Sequence, residues 1–282
     1  MIKNIKLIVA DIDGTLVNEA RDMLPITRAL LNDLHAKGIL FGIASGRPIG
    51  PHLYDARKEW NFDFDIDLWI GMNGGQLYDV LKNQTEEFYK LDEKTIEEII
   101  MMMRPMDANP FIYIGEDMLS EKIDEDMIAS MNRHNIKCEK ADVLDKLWAQ
   151  PTNKILFRLK QASQMPQAEE FASMHPSSKY TAFKTQPTML EFQDPRVNKG
   201  VGVARYCENN GISLDEVMCF CDMSNDNGMM QVAGWSVCLK NGSDDTKALA
   251  NEVTAYDNDH DGLGRYLMDV VYPYFGWEVP EF

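Results

Sequence analysis

The sequence predicts a doubly wound α/β fold, a parallel sheet with helices on both faces, interrupted by an inserted α+β domain. Short buried strands alternate with amphipathic helices near both ends of the chain, as is typical of βαβ units. Polar motifs directly follow several of these strands. The middle of the chain instead mixes helices and strands without that alternation, which indicates a second domain.

The outer parts of the chain supply the predicted parallel sheet. A helix with apolar residues at helical spacing between 26 and 34 is expected to end near Gly38, and a second helix is expected to hold Pro48 in its first turn. A third is expected to begin at Lys199 and end at Gly211. The apolar runs that predict buried strands are 5–10, 39–44, 68–71, 217–221 and 235–239.

The middle of the chain predicts the inserted domain. We place its boundaries at residues 82 and 188, which leaves 1–81 and 189–282 for the core. Amphipathic helices are predicted over 95–104, 124–133 and 167–175, and strands over 111–114, 154–159, 180–184 and 189–192.

Composition excludes several classes of protein. The 282 residues include 28 Lys and Arg against 45 Asp and Glu, a net charge of −17, which disfavours nucleic acid and anionic membranes as partners. A small anionic substrate in a locally positive pocket remains compatible with this charge. No apolar run approaches the roughly 20 residues that span a bilayer, and no signal peptide is recognised. Five cysteines, an odd number, are expected to be reduced thiols. We therefore expect a cytoplasmic protein with no obligate protein partner.

The motif Asp11-Ile12-Asp13-Gly14-Thr15 follows the first buried strand. Strand alternation would direct Asp11 and Asp13 to one side, with Ile12 turned away. Two adjacent carboxylates repel each other and require a cation or a shared proton. Gly14 allows a sharp turn that the Thr15 hydroxyl can hold. The alternative is an acidic turn that only caps the next segment.

Three more strand-end features are expected at the same edge of the sheet. Ser45 and Gly46 offer a hydroxyl and an open backbone N–H where a helix N-terminus can bind phosphate. Lys199 supplies a positive charge, although a surface lysine is the default interpretation. Asp222, with the following Asn225 and Asp226, supplies hard oxygen ligands of the kind that Mg²⁺ prefers, unless the cluster only caps a helix.

Together these motifs resemble the haloacid dehalogenase (HAD) superfamily, in particular the Cof-like phosphatases with a Rossmann-like core and a large α/β cap of type IIB. The likeness covers essentially the whole chain in motif order and spacing. The stretch from Asp11 resembles the first motif and Ser45-Gly-Arg-Pro the second. Lys199-Gly resembles the third, and Asp222-Met-Ser-Asn-Asp the fourth.

The resemblance implies a role for each motif residue. Asp11 would be the nucleophile and Asp13 the acid/base, while Mg²⁺ would be held by Asp11, the backbone carbonyl of Asp13, and Asp222. Thr15 and Asp226 would support the site. Phosphate contacts are implied for Ile12, Ser45, Gly46, Lys199 and Asn225. The chain departs from the family pattern at Cys221, where glycine is usual, and at Met223, where a small residue is usual.

The implied function is Mg²⁺-dependent hydrolysis of a small phosphorylated metabolite, a sugar phosphate by family analogy, through an aspartyl-phosphate. The inserted cap would select the substrate. Two alternatives stay open at this point. A phosphotransferase or phosphomutase would use the same intermediate, and a degenerate protein that only binds a phosphorylated ligand would retain the fold.

Overall fold

Two sheets organise the chain. The computed structural model describes residues 3–281, and only the backbone of His52, Asp55, Ala56, Arg57, Glu59, Arg133 and His134. In chain order the strands are β1 (Leu7–Ala10), β2 (Leu40–Ala44), β3 (Leu68–Gly71), β4 (Gln76–Asp79), β5 (Gln84–Glu87), β6 (Asn109–Ile114), β7 (Asp117–Ser120), β8 (Cys138–Lys140), β9 (Lys154–Arg158), β10 (Thr181–Gln186), β11 (Met189–Gln193), β12 (Val217–Cys221), β13 (Trp235–Cys238) and β14 (Glu252–Val253). The helices are α1 (Pro25–Ala36), α2 (Pro51–Trp60), α3 (Glu93–Met103), α4 (Glu125–His134), α5 (Met165–Ser173), α6 (Lys199–Asn210), α7 (Asn227–Val232), α8 (Asp244–Leu249), α9 (Gly262–Tyr266) and α10 (Tyr272–Phe275).

The chain divides into two compact units. The core unit comprises residues 3–49, 53–86 and 198–281, and the inserted unit comprises 50–52 and 87–197. The sheet of the core unit has the strand order β14-β13-β12-β1-β2-β3-β4-β5. Strands β14 to β3 in this order are parallel, and the β3–β4 pair is antiparallel. This is the parallel sheet that the sequence predicts.

Strand register in the core unit brings the polar motifs to one edge of the sheet. Ala10 at the end of β1 lies opposite Phe220 of β12 and Ile43 of β2. Because all three strands run in the same direction, the next residues of each chain segment emerge at the same end. Asp11, Ser45 and Asp222 therefore leave the sheet side by side. The strands themselves are buried and apolar, which holds this register.

The inserted unit forms a sheet of its own in the order β10-β11-β9-β6-β7-β8. The β7–β8 pair is parallel and the other pairs are antiparallel. The apolar side of α3, which includes Ile96, Ile99 and Met103, packs into the apolar core of the inserted unit. The boundary predicted at 188 differs from the structure, because β11 pairs with β9 and β10 of this sheet. The inserted unit consequently continues to residue 197.

The helix after β2 also begins later than the sequence suggests. Pro48 was expected in its first turn, but α2 begins at Pro51. The intervening backbone bonds elsewhere, since Met72 N donates to Arg47 O at 2.9 Å and Ile49 N donates to Gln76 Oε1 at 3.0 Å. Ser45 and Gly46 thus lie in a loop and not at a helix N-terminus, so that part of the prediction is wrong.

A distant carboxylate caps helix α1. The residue before the helix, Leu24, has no side chain that can accept a hydrogen bond. Asp261 takes that role, because its carboxylate accepts from Ile26 N at 2.9 Å, Thr27 N at 3.0 Å and Thr27 Oγ1 at 2.6 Å. An anion at a helix N-terminus also interacts favourably with the helix dipole. The carboxylate of Asp261, at the end of an acidic segment over residues 257–261, therefore has a structural role.

Two further predictions concern the oxidation state of the cysteines and the length of the apolar segments. All five cysteines are free and buried. Among the described residues, the helices are too short or too polar for one of them to cross a membrane.

Candidate active site

The side-chain ammonium of Lys199 lies at the centre of the strand-end cluster. It contacts Asp11 Oδ1, and it donates to Asp226 Oδ1 at 2.5 Å. Lys199 and Asp226 are both 0% exposed, and Asp11 is 9% exposed. A charge removed from water to this extent requires compensating charges in contact with it. The two carboxylates provide them, so Lys199 is not the surface lysine of the default interpretation.

Close backbone approaches bring Lys199 to this position. Lys199 is the first residue of α6, and Asn198 caps the helix by accepting from Val201 N at 3.2 Å. Gly74, at φ +104°, lies against the start of α6, where a Cβ atom would come within 2.0 Å of Asn198 O. A Cβ on Gly200 would come within 2.2 Å of Gly228 O. Both glycines are therefore needed for the N-terminus of α6 to fit here.

Asp222 occupies a cradle formed by the first motif. The Thr15 hydroxyl donates to Asp222 Oδ1 at 3.0 Å. A Cβ on Gly14, which has φ +84°, would stand 2.4 Å from Asp222 Oδ2. The sequence predicts that the Thr15 hydroxyl holds its own turn. In the structure backbone bonds from Leu16 N and Val17 N to Ile12 O hold the turn, and the hydroxyl orients Asp222.

Asp226 organises the fourth motif from within. Its Oδ2 accepts from the backbone N–H groups of Asp222 at 3.2 Å and Met223 at 3.1 Å, while Oδ1 bonds to Lys199. Both oxygens of Asp226 are therefore engaged by the protein. Asp226 fixes the loop that carries Asp222 and the ammonium that contacts Asp11.

The electrostatics of the cluster are dominated by an excess of carboxylates. Burial raises the pKa of Asp222 to about 7, and the negative charge of Asp226 adds to the effect. Burial, joined by the charges of Asp226 and Asp222, also holds the pKa of Asp11 well above its usual range, against the opposing effect of Lys199. Burial alone would lower the pKa of Lys199, but Asp11 and Asp226 outweigh it and raise the pKa. With all three carboxylates ionised, the single ammonium of Lys199 would leave two negative charges uncompensated.

This donor set fits a hard divalent cation. Carboxylate oxygens of Asp11, Asp222 and Asp226 lie within 4.8 Å of one another. Oxygen donors with excess negative charge are the surroundings that Mg²⁺ prefers. Since both oxygens of Asp226 already accept hydrogen bonds, Asp11 and Asp222 are the side chains that could hold the metal. The missing Cβ of Gly14 leaves the backbone of the first motif close to Asp222 Oδ2.

The other predicted site residues lie around this cluster, some of them buried and others exposed to solvent. Asp13 is more exposed than Asp11, and its carboxylate contacts the guanidinium of Arg47. Ser45 is buried and its Oγ accepts from Arg47 N at 3.2 Å, while Ile12 is also buried. Asn225 is exposed on the turn before α7. A Cβ on Gly46 would come within 2.9 Å of Asn73 Oδ1.

Three polar residues at this edge were not singled out from the sequence. Arg47 lies inside the second motif, and its contact with Asp13 could have been suspected from that position. Asn73 is buried, and its N–H donates to Ser45 O at 3.1 Å. Asn241 follows β13, and its Nδ2 donates to Gly14 O at 2.8 Å. Both asparagines follow strands of the same sheet, which is the signal that identified the first, second and fourth motifs.

Comparison with known proteins now assigns the family. The model of the haloacid dehalogenase-like hydrolases matches residues 8–267. The chain belongs to this family. It is 27% identical over 278 residues to "Putative phosphatase MG265" of Mycoplasma genitalium, covering 93% of this chain and 97% of that protein. It is 22% identical over 267 residues to 5-amino-6-(5-phospho-D-ribitylamino)uracil phosphatase YitU of Bacillus subtilis, covering 93% and 96%.

Solved structures agree with this assignment. The HAD subclass IIB sugar phosphatase BT4131 superposes with a TM-score of 0.76 at 20% identity, over 94% of this chain and 98% of that one. The predicted α/β fold with an inserted cap and the predicted membership of the superfamily are therefore confirmed. The prediction of a HAD-like phosphatase is confirmed at the level of enzyme class.

The raised pKa of Asp222 predicts a pH-dependent stability of the metal-free protein. Because the folded-state pKa of about 7 lies above the usual 3.8, the folded protein binds this proton more tightly than the unfolded chain. The resulting stabilisation is present at low pH and is lost as the pH rises through about 7. In excess chelator, Asp222→Asn should increase the free energy of unfolding by about 1–3 kcal/mol at pH 8 and by much less at pH 5.

Urea denaturation at both pH values measures this difference. Asp22→Asn, the same change at an exposed aspartate of the core unit, is the control for the loss of a carboxylate as such. A gain for Asp222→Asn that is equal at pH 5 and pH 8 would contradict the assignment of a raised pKa to this group.

Proposed function

We propose that this protein is a Mg²⁺-dependent phosphatase that hydrolyses a small phosphorylated metabolite, of the sugar phosphate class, through an aspartyl-phosphate on Asp11. The observation that carries the proposal is the buried Lys199 ammonium in contact with Asp11, beside Asp222. A carboxylate held next to a fixed positive charge and a cation site is suited to attack an anionic phosphorus centre. The named activities of BT4131 and YitU, on sugar and ribityl phosphates, support the substrate class.

The proposed chemistry has two steps. The Asp11 carboxylate attacks phosphorus, the bond from phosphorus to the ester oxygen breaks, and Asp13 gives its proton to the leaving alcohol. Water then attacks the phosphorus of the aspartyl-phosphate, Asp13 takes up a proton, and inorganic phosphate leaves Asp11 free. Because the guanidinium of Arg47 contacts the Asp13 carboxylate, the leaving alcohol would have to take the place of Arg47 at that carboxylate in the first step.

The protein groups around the phosphate would stabilise its charge. Lys199, with Ser45 and the backbone near Ile12 and Gly46, would hold the equatorial oxygens, and Asn225 would approach from the exposed side. Asp11, the backbone carbonyl of Asp13, and Asp222 would hold Mg²⁺. When bound, the metal offsets the repulsion between Asp11 and the anionic phosphate.

Substitution of the nucleophile tests the mechanism. Asp11→Asn should reduce turnover of para-nitrophenyl phosphate by about 1,000-fold or more, because an amide cannot attack phosphorus although it fits the same space. Asp13→Asn should slow both steps and prolong a phospho-enzyme that is visible as an added phosphoryl group in the intact mass. Turnover at the wild-type rate in folded, purified Asp11→Asn protein would refute the aspartyl-phosphate.

The metal requirement is tested separately. Excess chelator should abolish phosphate release, Mg²⁺ should restore it, and Ca²⁺ should restore little. Mg²⁺ takes six ligands at short distance, whereas Ca²⁺ takes more ligands at longer range and would place the phosphate differently. Phosphate release is measured after dialysis against each ion. Full activity in excess chelator would exclude the metal from the reaction.

We further propose that the inserted unit selects the substrate. The residues assigned to chemistry, Asp11, Asp13, Lys199 and Asp222, belong to the core unit, and the inserted unit supplies none of them. The inserted unit has its own sheet and its own apolar core. A separate unit of this kind can vary in sequence without loss of the catalytic residues. Contacts between that unit and the leaving group would supply binding energy that orients the phosphate for attack.

Exchange of the inserted unit tests this division. Residues 87–197 are replaced by the corresponding segment of YitU, and phosphate release is measured on a panel of phosphorylated metabolites that includes the compound for which YitU is named. The ranking of substrates should shift toward that compound, while hydrolysis of para-nitrophenyl phosphate persists at a reduced rate. An unchanged ranking in a folded, active chimera would contradict the assignment.

A further inference from the structure

One short loop touches both aspartate-bearing segments of the site. Residues 239–243 follow β13 and precede α8. Ser243 N donates to the backbone oxygen of Asp222 at 2.8 Å, and Asn241 Nδ2 donates to the backbone oxygen of Gly14 at 2.8 Å. The loop therefore joins the segment after β12, which carries Asp222, to the segment after β1, which carries Asp11 and Asp13.

A second asparagine orients the Asn241 amide. The backbone N–H of Asn258 donates to Asn241 Oδ1 at 3.2 Å, and Asn258 Nδ2 donates to Val17 O at 3.1 Å. Because Oδ1 accepts from a backbone N–H, the donor Nδ2 of Asn241 faces Gly14. Val17 in turn bridges to Asp13. Asn241 thus holds the start of the turn through Gly14 O, and Asn258 holds its end through Val17 O.

The backbone oxygen of Gly14 lies one peptide unit beyond that of Asp13. Since peptide units are planar, only the two backbone torsions of Gly14 separate the direction of these two carbonyl groups. Gly14 has φ +84° and leaves no room for a Cβ beside Asp222 Oδ2. A hydrogen bond that fixes the Gly14 carbonyl thereby restricts the Asp13 carbonyl and its distance from Asp222.

We propose that Asn241 is a positioning residue for the metal site. Its amide sets the spacing between the Asp13–Gly14 turn and Asp222, and so increases the affinity for Mg²⁺ without contact with the metal or the substrate. This inference rests on the proposed function. Groups that hold metal ligands in place typically contribute about 10–100-fold to metal affinity or activity.

Calorimetric titration with Mg²⁺ in the absence of substrate tests the role. Asn241→Ala and Asn241→Leu both remove the donor, and the second retains most of the side-chain volume. Asn32→Ala is the matched control, because Asn32 Nδ2 donates to Asp63 Oδ2 at 3.0 Å and its Oδ1 accepts from Asp63 N at 3.1 Å. Melting temperatures without metal and the kcat and KM for para-nitrophenyl phosphate are measured in parallel.

The expected result is a dissociation constant for Mg²⁺ that rises about 10-fold or more in both Asn241 variants and stays unchanged in Asn32→Ala. The kcat at subsaturating Mg²⁺ should fall in parallel, with the metal-free melting temperature lowered no more than in the control. Wild-type affinity in the Asn241 variants would overturn the inference and leave the proposed function intact. A larger loss of metal-free stability than in the control would assign Asn241 a merely structural role. Failure of the wild-type protein to bind Mg²⁺ would overturn both.

Discussion

The burial of the Lys199 ammonium between Asp11 and Asp226 is the interaction on which the rest of the core unit depends. Removal of Lys199 would leave two carboxylates out of solvent without their shared cation, which is far more costly than the loss of a surface ion pair. Asp11 follows β1, Lys199 is the first residue of α6, and Asp226 lies in the segment after β12. Their contact therefore requires the register of the sheet and the glycine contacts at the start of α6 to be satisfied together.

The same cluster carries more negative charge than its single ammonium can balance. A core selected for stability alone would replace these carboxylates with apolar side chains, since buried ion pairs seldom stabilise more than good packing. Their presence at the carboxyl end of a parallel sheet is consistent with the proposed catalytic role, and such sites commonly reduce stability in exchange for activity. Asp226 limits the disadvantage, because its two oxygens satisfy Lys199 and two backbone N–H groups.

Strand-end patterns were sufficient to predict the buried strands and the first, second and fourth motifs, because the period of apolar residues and the position of polar residues after a strand are local properties. Lys199 instead begins a helix, and family resemblance indicated its role. The start of α2 and the role of the Thr15 hydroxyl could not be predicted in this way. Both depend on partners distant in sequence, Met72 and Gln76 in one case and Asp222 in the other. The boundary at 188 was misplaced for a related reason, since β11 resembles a core strand until its pairing with β9 is known.

The order of strands in the core unit has a consequence for synthesis of the chain on the ribosome. The first residues of the paired strands β1 and β12, Leu7 and Val217, are 210 positions apart. The sheet of the inserted unit uses only residues 109–193, so all of its strands are synthesised before β12. The edge of β1 that pairs with β12 therefore stays without its partner strand while the inserted unit is being synthesised. Unpaired strand edges aggregate readily, so this is the interval in which the growing chain most needs chaperones.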